Sequence, residues 1–174
     1  LFWNTSPPDR TFSFSIADYG ENTLALDLDY EILFERSVID DIGNVGTNNA
    51  VSVIGNGDEN THIYVSYLDS SNRNLVFARS NDNGATWTPQ DLDTGSNTGE
   101  YNAITTIGDG SAGTSVYISY YDNAGCLKLA RSTDNGSNFD IITVDSPGIG
   151  TYTSIDALGT GGAATSVYIS YYDY

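Results

Sequence analysis

Residues 63–87, IYVSYLDSSNRNLVFARSNDNGATW, return as residues 116–139, VYISYYDNAGCLKLARSTDNGSNF. Their opening returns once more as VYISYYDY at 167–174. Successive copies lie roughly fifty residues apart, and self-similarity at a fixed period outweighs any single residue in deciding architecture. Each copy breaks into short runs rich in β-branched and aromatic residues, separated by Asn, Asp, Ser and Gly. Period-2 runs bounded by Gly, Asn, Asp and Ser are half-buried or buried strands joined by turns.

The surrounding sequence divides on the same period. Residues 48–93 make a complete unit: NAVSVIGNGD, HIYVSYLD, NLVFARS and a short fourth strand in WTPQDLD. Pro89 confines that fourth strand to a sheet edge, because it cannot donate to a neighbour. Residues 101–145 repeat the plan with YNAITTIGDG, SVYISYYD, CLKLARS and FDIITVD. The connectors 93–100 and 145–152 match in place and in glycine content. Residues 152–174 carry two strands of a further unit. Residues 11–41 read as a degenerate first unit or as closing strands, with Phe12, Phe14 and Ile16 alternating against Ser and Thr, then TLALDLDY, and EILFERS resembling NLVFARS. Residues 1–10, with Pro7 and Pro8, read as an extended N-terminal arm. No segment has a helical period. The expected fold is all-β, a propeller-type array of four-stranded blades, about three and a half of them in this chain.

Composition narrows the function classes. With 39% hydrophobic residues and 13 tyrosines the chain is a folding sequence despite its many small polar residues. Twenty-three acidic residues face six basic ones, a net charge of −17, which lacks the basic footprint of nucleic-acid binding. No apolar run is long enough for a membrane span. Cys126 is the only cysteine, so an internal disulfide is excluded, and His62 is the only histidine, which leaves a multi-histidine metal site unsupported. His62 reads as a solvent-facing turn residue. No cofactor is implied; weak Ca2+ binding at the acidic turns is the one reading left open. The absence of an initiating Met points to a processed or excised chain, and export followed by signal cleavage suggests an extracellular or cell-surface location.

The turn between third and fourth strands occurs as SNDNGATW (Ser80, Asp82, Gly84, Trp87) and STDNGSNF (Ser132, Asp134, Gly136, Phe139). An Asp accepts from backbone N–H groups a few residues on, Gly supplies positive φ, and the aromatic buries its ring beside the hairpin. Two copies, each following Ala-Arg-Ser, resemble the Asp-box or BNR repeat of sialidase-like β-propellers. The resemblance spans roughly residues 48–174. It implies a ring of six or seven blades, with sialidases and related glycosidases, sortilin-type receptors and propeller lectins as relatives. It also implies that these eight residues build the fold away from any catalytic face.

A sialidase-like site would need three arginines around a carboxylate. Arg36, Arg79 and Arg131 instead share one repeat position and read as scaffold, and FERS at 34–37 does not match the family's Phe-Arg-Ile-Pro motif. No catalytic or metal residue is assigned. Asp69, Asp122 and Asp173 recur at strand ends, where turn capping accounts for them. The recurring Tyr67, Tyr120, Tyr121, Tyr171 and Tyr172 read first as packing and second as sugar-stacking aromatics. The leading functional expectation is a non-catalytic module for surface binding or self-assembly. In it the half-unit at 152–174, with Val167 and Ile169, is completed by strands such as the one holding Phe12, Phe14 and Ile16, from the same or another copy. The expected partners are therefore further copies in an oligomer or filament, the remainder of a longer propeller, or a glycan. A sialidase-like glycosidase fragment and a propeller lectin are the alternatives.

Overall fold

A computed structural model of the chain describes residues 2–4, 35–95 and 97–173. The strand expected around Phe12, Phe14 and Ile16, and with it most of the arm and of the 11–41 unit, lies outside the described residues. What is described is all-β: among those residues there is no α-helix, and a single 3-10 turn occurs at Gly162–Ala164. Four antiparallel sheets form, and none closes on itself.

The short strands β1 (Phe2–Asn4) and β2 (Glu35–Ser37) make a two-stranded ribbon, so part of the segment read as an arm is paired. The first four-stranded sheet runs β3 (Val45–Ile54), β4 (His62–Asp69), β5 (Asn74–Ser80) and β6 (Thr88–Asp93) in sequence order. The second repeats it with β7 (Thr98–Ile107), β8 (Ser115–Asp122), β9 (Cys126–Ser132) and β10 (Asp140–Asp145). The last sheet holds β11 (Ile149–Gly159) and β12 (Thr165–Asp173). Meander topology follows from short loops, since only antiparallel neighbours can be joined by tight turns.

Register repeats along with sequence. Val51 faces Val65, Ile104 faces Ile118, and Ile155 faces Ile169. The first strand of each unit also slips register twice near its start. Pro89 sits on β6 opposite Ala78, on the sheet's outer strand where its missing N–H costs no ladder bond.

Two apolar clusters show how the sheets meet. Tyr64, Leu75 and Phe77 of the first sheet interlock with Ile104, Val116, Ile118, Tyr120 and Ala130 of the second, and Phe139 packs on from the side. On the opposite face of the first sheet, Ile63, Val65, Tyr67, Val76 and Ala78 gather Ile39, Val45 and Trp87. Alternation explains both: strands buried on two faces send odd and even residues to different neighbours. Val116, Ile118 and Tyr120 are the repeat counterparts of Ile63, Val65 and Tyr67, so each unit presents the same face to the unit before it.

Candidate functional site

The two turns fold alike, atom for atom. Ser80 Oγ donates to Asp82 Oδ1 at 2.7 Å and accepts the Gly84 N–H at 2.8 Å. Asp82 then accepts the Thr86 N–H (2.8 Å) and Thr86 Oγ1 (2.6 Å). In the second copy Ser132 donates to Asp134 (2.8 Å), Gly136 N–H donates to Ser132 Oγ (2.9 Å), and Asn138 supplies both donors to Asp134 at 2.9 and 2.7 Å. The Asn138 side-chain bond first, and then its backbone N–H, holds the Asp134 carboxyl down at about 2. Asp82 is lowered for the same reason, with Thr86 in the place of Asn138.

The second turn is also a clamp between sheets. Phe139 meets Phe77 edge-on, with ring centroids 5.0 Å apart. Tyr64 Oη donates to Asn135 Oδ1 (2.7 Å), Gln90 Nε2 to the Gly136 carbonyl (2.8 Å), and Arg79 Nη1 to the Asn135 carbonyl. Arg131, at the same repeat position as Arg79, instead pairs with Asp140 across β9 and β10 at 2.9 Å. The first turn's aromatic, Trp87, is half-buried against the other cluster and donates to the Gly84 carbonyl (3.1 Å) and Ser37 Oγ (3.3 Å). Beside it an open cleft of about 420 Å³ is lined by Arg36, Ser37, Glu59 and Asp82.

A second device recurs that the repeat pattern did not disclose. Tyr67 Oη donates to Asp40 Oδ2 (2.9 Å), Tyr120 Oη to Asp93 Oδ2 (2.8 Å), and Tyr171 Oη to Asp145 Oδ2 (2.7 Å). Each bond joins the second strand of one unit to the aspartate that ends the previous unit. Asp40 thus stands towards Tyr67 as Asp93 stands towards Tyr120 and Asp145 towards Tyr171. In the middle copy Lys128 Nζ completes the set, 2.9 Å from Asp93 and 2.6 Å from Asp122. Burial works against both charged forms there. Their mutual bonds nonetheless lower the Asp93 carboxyl and raise the Lys128 ammonium relative to their ordinary values.

Packing takes most of the singled-out tyrosines. Tyr67, Tyr120 and Tyr121 are buried, which removes them as sugar platforms and corrects the lectin expectation at Tyr120. Tyr171 and Tyr172 are exposed at 38% and 54%, and Val167 and Ile169 are half-buried on β12. Unanticipated are Tyr101 and Tyr152, each in left-handed backbone (φ +52° and +53°), with rings 4.6 Å apart. Tyr121 and Tyr172 extend this row at 6.3 and 6.5 Å.

The remaining candidates are structural. Asp69 Oδ1 accepts the Ser71 and Asn72 N–H groups, and Asp122 Oδ1 the Ala124 N–H, as expected of turn caps. His62 opens β4, not a free turn, and its Nδ1 lies 2.9 Å from Asn81 Oδ1. Its ring fills the space a Cβ at Gly110 would need, so it belongs to a seam between sheets. Cys126 opens β9 opposite Asp122 as a half-buried thiol. Among the described residues no three of His, Cys, Asp or Glu gather at metal-ligand positions, and no helix is long and apolar enough to cross a membrane.

Compared with protein-family models, with curated proteins and with solved structures, the chain has no match in any of the three.

The feature that stands apart is a nine-residue identity. TSVYISYYD occurs at 114–122 and at 165–173. Every residue of the first copy is buried, and every residue of the second is half-buried or exposed. Tyr117 is 1% exposed where Tyr168 is 60%. Strand β8 pairs on both edges, with β7 and β9, whereas β12 among the described residues pairs with β11 alone.

Proposed function

We propose that the chain is part of an Asp-box propeller-type array that acts as a non-catalytic, extracellular module for surface binding or self-assembly. The identity of β12 with a doubly paired, fully buried strand is the observation that carries the assembly reading. Among the described residues β12 pairs only with β11, and a strand edge left unpaired is a template for another strand. The recurring Ser, Asp and Tyr side chains are occupied in bonds within and between sheets, which suits a scaffold. The Asp-box family rests on the sequence resemblance alone.

Light scattering on a size-exclusion column tests the assembly reading. A discrete oligomer or fibre is expected, and loss of assembly when residues 165–174 are removed. A monomer at every concentration tried would overturn it. A glycan-binding role is the second reading, favoured by the contact of the exposed Tyr152 and Tyr172 rings. It predicts glycan-array binding that Tyr152→Ala abolishes.

A further inference from the structure

We infer that Asn56 is a site of spontaneous covalent modification, where the side-chain amide is lost as ammonia and the residue becomes aspartate or isoaspartate. The inference stands apart from the assembly reading above. The chain holds three Asn-Gly pairs, at 56–57, 83–84 and 135–136. Glycine makes such a pair reactive, because with no Cβ its backbone nitrogen is open to the preceding side chain. The Gly57 nitrogen attacks Asn56 Cγ, an N–Cγ bond forms, the Cγ–Nδ2 bond breaks, and ammonia leaves with the glycine's amide proton. Water then opens the five-membered ring at either carbonyl. One opening gives aspartate, and the other gives isoaspartate, whose backbone runs through the side-chain carboxyl.

The three glycine nitrogens are held alike, each N–H donating to a hydroxyl: Gly57 to Thr61 Oγ1 (2.8 Å), Gly84 to Ser80 Oγ (2.8 Å) and Gly136 to Ser132 Oγ (2.9 Å). The amides are held differently. Asn83 Nδ2 donates to the Gly57 carbonyl at 3.0 Å, and Asn135 Nδ2 to the Gly110 carbonyl at 2.8 Å. Asn135 is also buried, and its Oδ1 accepts Tyr64 Oη at 2.7 Å. Both must break these bonds before Cγ can swing over the next nitrogen, and Asn135 must do so away from water. Asn56 is exposed among the described residues, and its amide, with Nδ2 turned to the exposed Asp58, lies 2.9 Å from that carboxylate. Water can replace such a contact. The change reaches further than its own loop. Asp109 holds the matching place in the second unit and accepts the Ser111 N–H at 3.0 Å, but Asp58 stands where Ser111 stands. A new carboxylate at 56 therefore faces an existing one, next to the Gly57 carbonyl that anchors Asn83 of the Ser-x-Asp-x-Gly turn.

The test ages the full chain in mildly alkaline buffer, with circular dichroism to follow folding, and maps its digest by mass spectrometry beside a sample kept in urea. In the folded chain the peptide holding Asn56 should gain one mass unit and split into aspartate and isoaspartate forms. It should do so faster than Asn83 and at least about ten-fold faster than Asn135, because one hydrogen bond broken beforehand is worth about that factor. In urea, where the anchoring bonds are gone, the three sites should change at similar rates. Equal rates at Asn56 and Asn135 in the folded chain, or a faster site at Asn83 or Asn135, overturn the inference. So does an unchanged Asn56 in a folded chain whose urea sample is modified at all three.

Discussion

The hydroxyl of Tyr120 donates to Asp93 Oδ2 at 2.8 Å across 27 residues of sequence, tying the second sheet to the last residue of the first. Tyr120 is fully buried, and Asp93 also carries Lys128 and the Gly95 N–H. Removing the hydroxyl leaves a half-buried carboxylate short of a donor, so Tyr120→Phe should destabilise by about 1–3 kcal/mol. The same change at the exposed Tyr171 should stay within about 0.5 kcal/mol. Urea unfolding of both variants checks the contrast, and equal effects would remove the seam from the account.

The second turn should be intolerant of a methyl group at Gly136. Its φ is +76°, and a Cβ there would lie 2.6 Å from the Phe77 ring, which is itself held by Phe139. Backbone strain and displacement of a core ring add, so Gly136→Ala should cost about 2 kcal/mol or more. Thermal unfolding reads the loss. An unchanged midpoint would mean that the turn does not clamp the sheets.

Acid should loosen the turns in a defined window. The Asp134 carboxyl is depressed from 3.8 to about 2 by Asn138 and, more weakly, Ser132, so its ionised form favours the folded state. That stabilisation is complete above the unfolded value and is lost as pH falls from 3.8 towards about 2. Asp69, Asp82 and Asp93 shift in the same direction. Because Asp134 is partly solvated, screening keeps its share modest. Melting temperature plotted against pH should fall through this window, and less steeply for Asp134→Asn; identical slopes would count against the turn carboxylate.

At the alkaline end the buried tyrosines behave oppositely. Burial pushes Tyr64 up to about 12, and burial together with Asp93 raises Tyr120 further. A raised folded-state value means stability complete below the ordinary 10.0 and lost as pH climbs towards the folded value. Tyrosinate absorbance should therefore show a late component that appears together with unfolding by circular dichroism. Complete ionisation of a chain that remains folded would contradict the buried hydroxyl network.

Period-2 alternation and the repeated Ser-x-Asp-x-Gly turn made the strands and loop bonds legible, because both are set by residues within a few positions of one another. The Tyr67–Asp40, Tyr120–Asp93 and Tyr171–Asp145 bonds were not legible, since each spans about half a repeat and one partner is an ordinary turn aspartate. Arg79 and Arg131 share a motif yet take different partners: among the described residues the next unit's turn packs against Arg79, whereas Arg131 pairs with Asp140. The left-handed Tyr101 and Tyr152 were missed for a related reason: aromatic residues rarely adopt that backbone, so nothing in their type announces it.

The nonapeptide TSVYISYYD separates what the chain decides locally from what its neighbours decide. In both copies the alternation of β-branched and aromatic residues produces a strand, with the same register against the strand before it. Sequence alone was sufficient for that, because strand formation and hairpin pairing depend on nearby residues. Burial was decided elsewhere: β9 and β11 cover the first copy on an edge and a face, while among the described residues the second pairs with β11 alone. Nine identical residues are core in one place and surface in the other, because burial belongs to the packing around a strand and not to the strand.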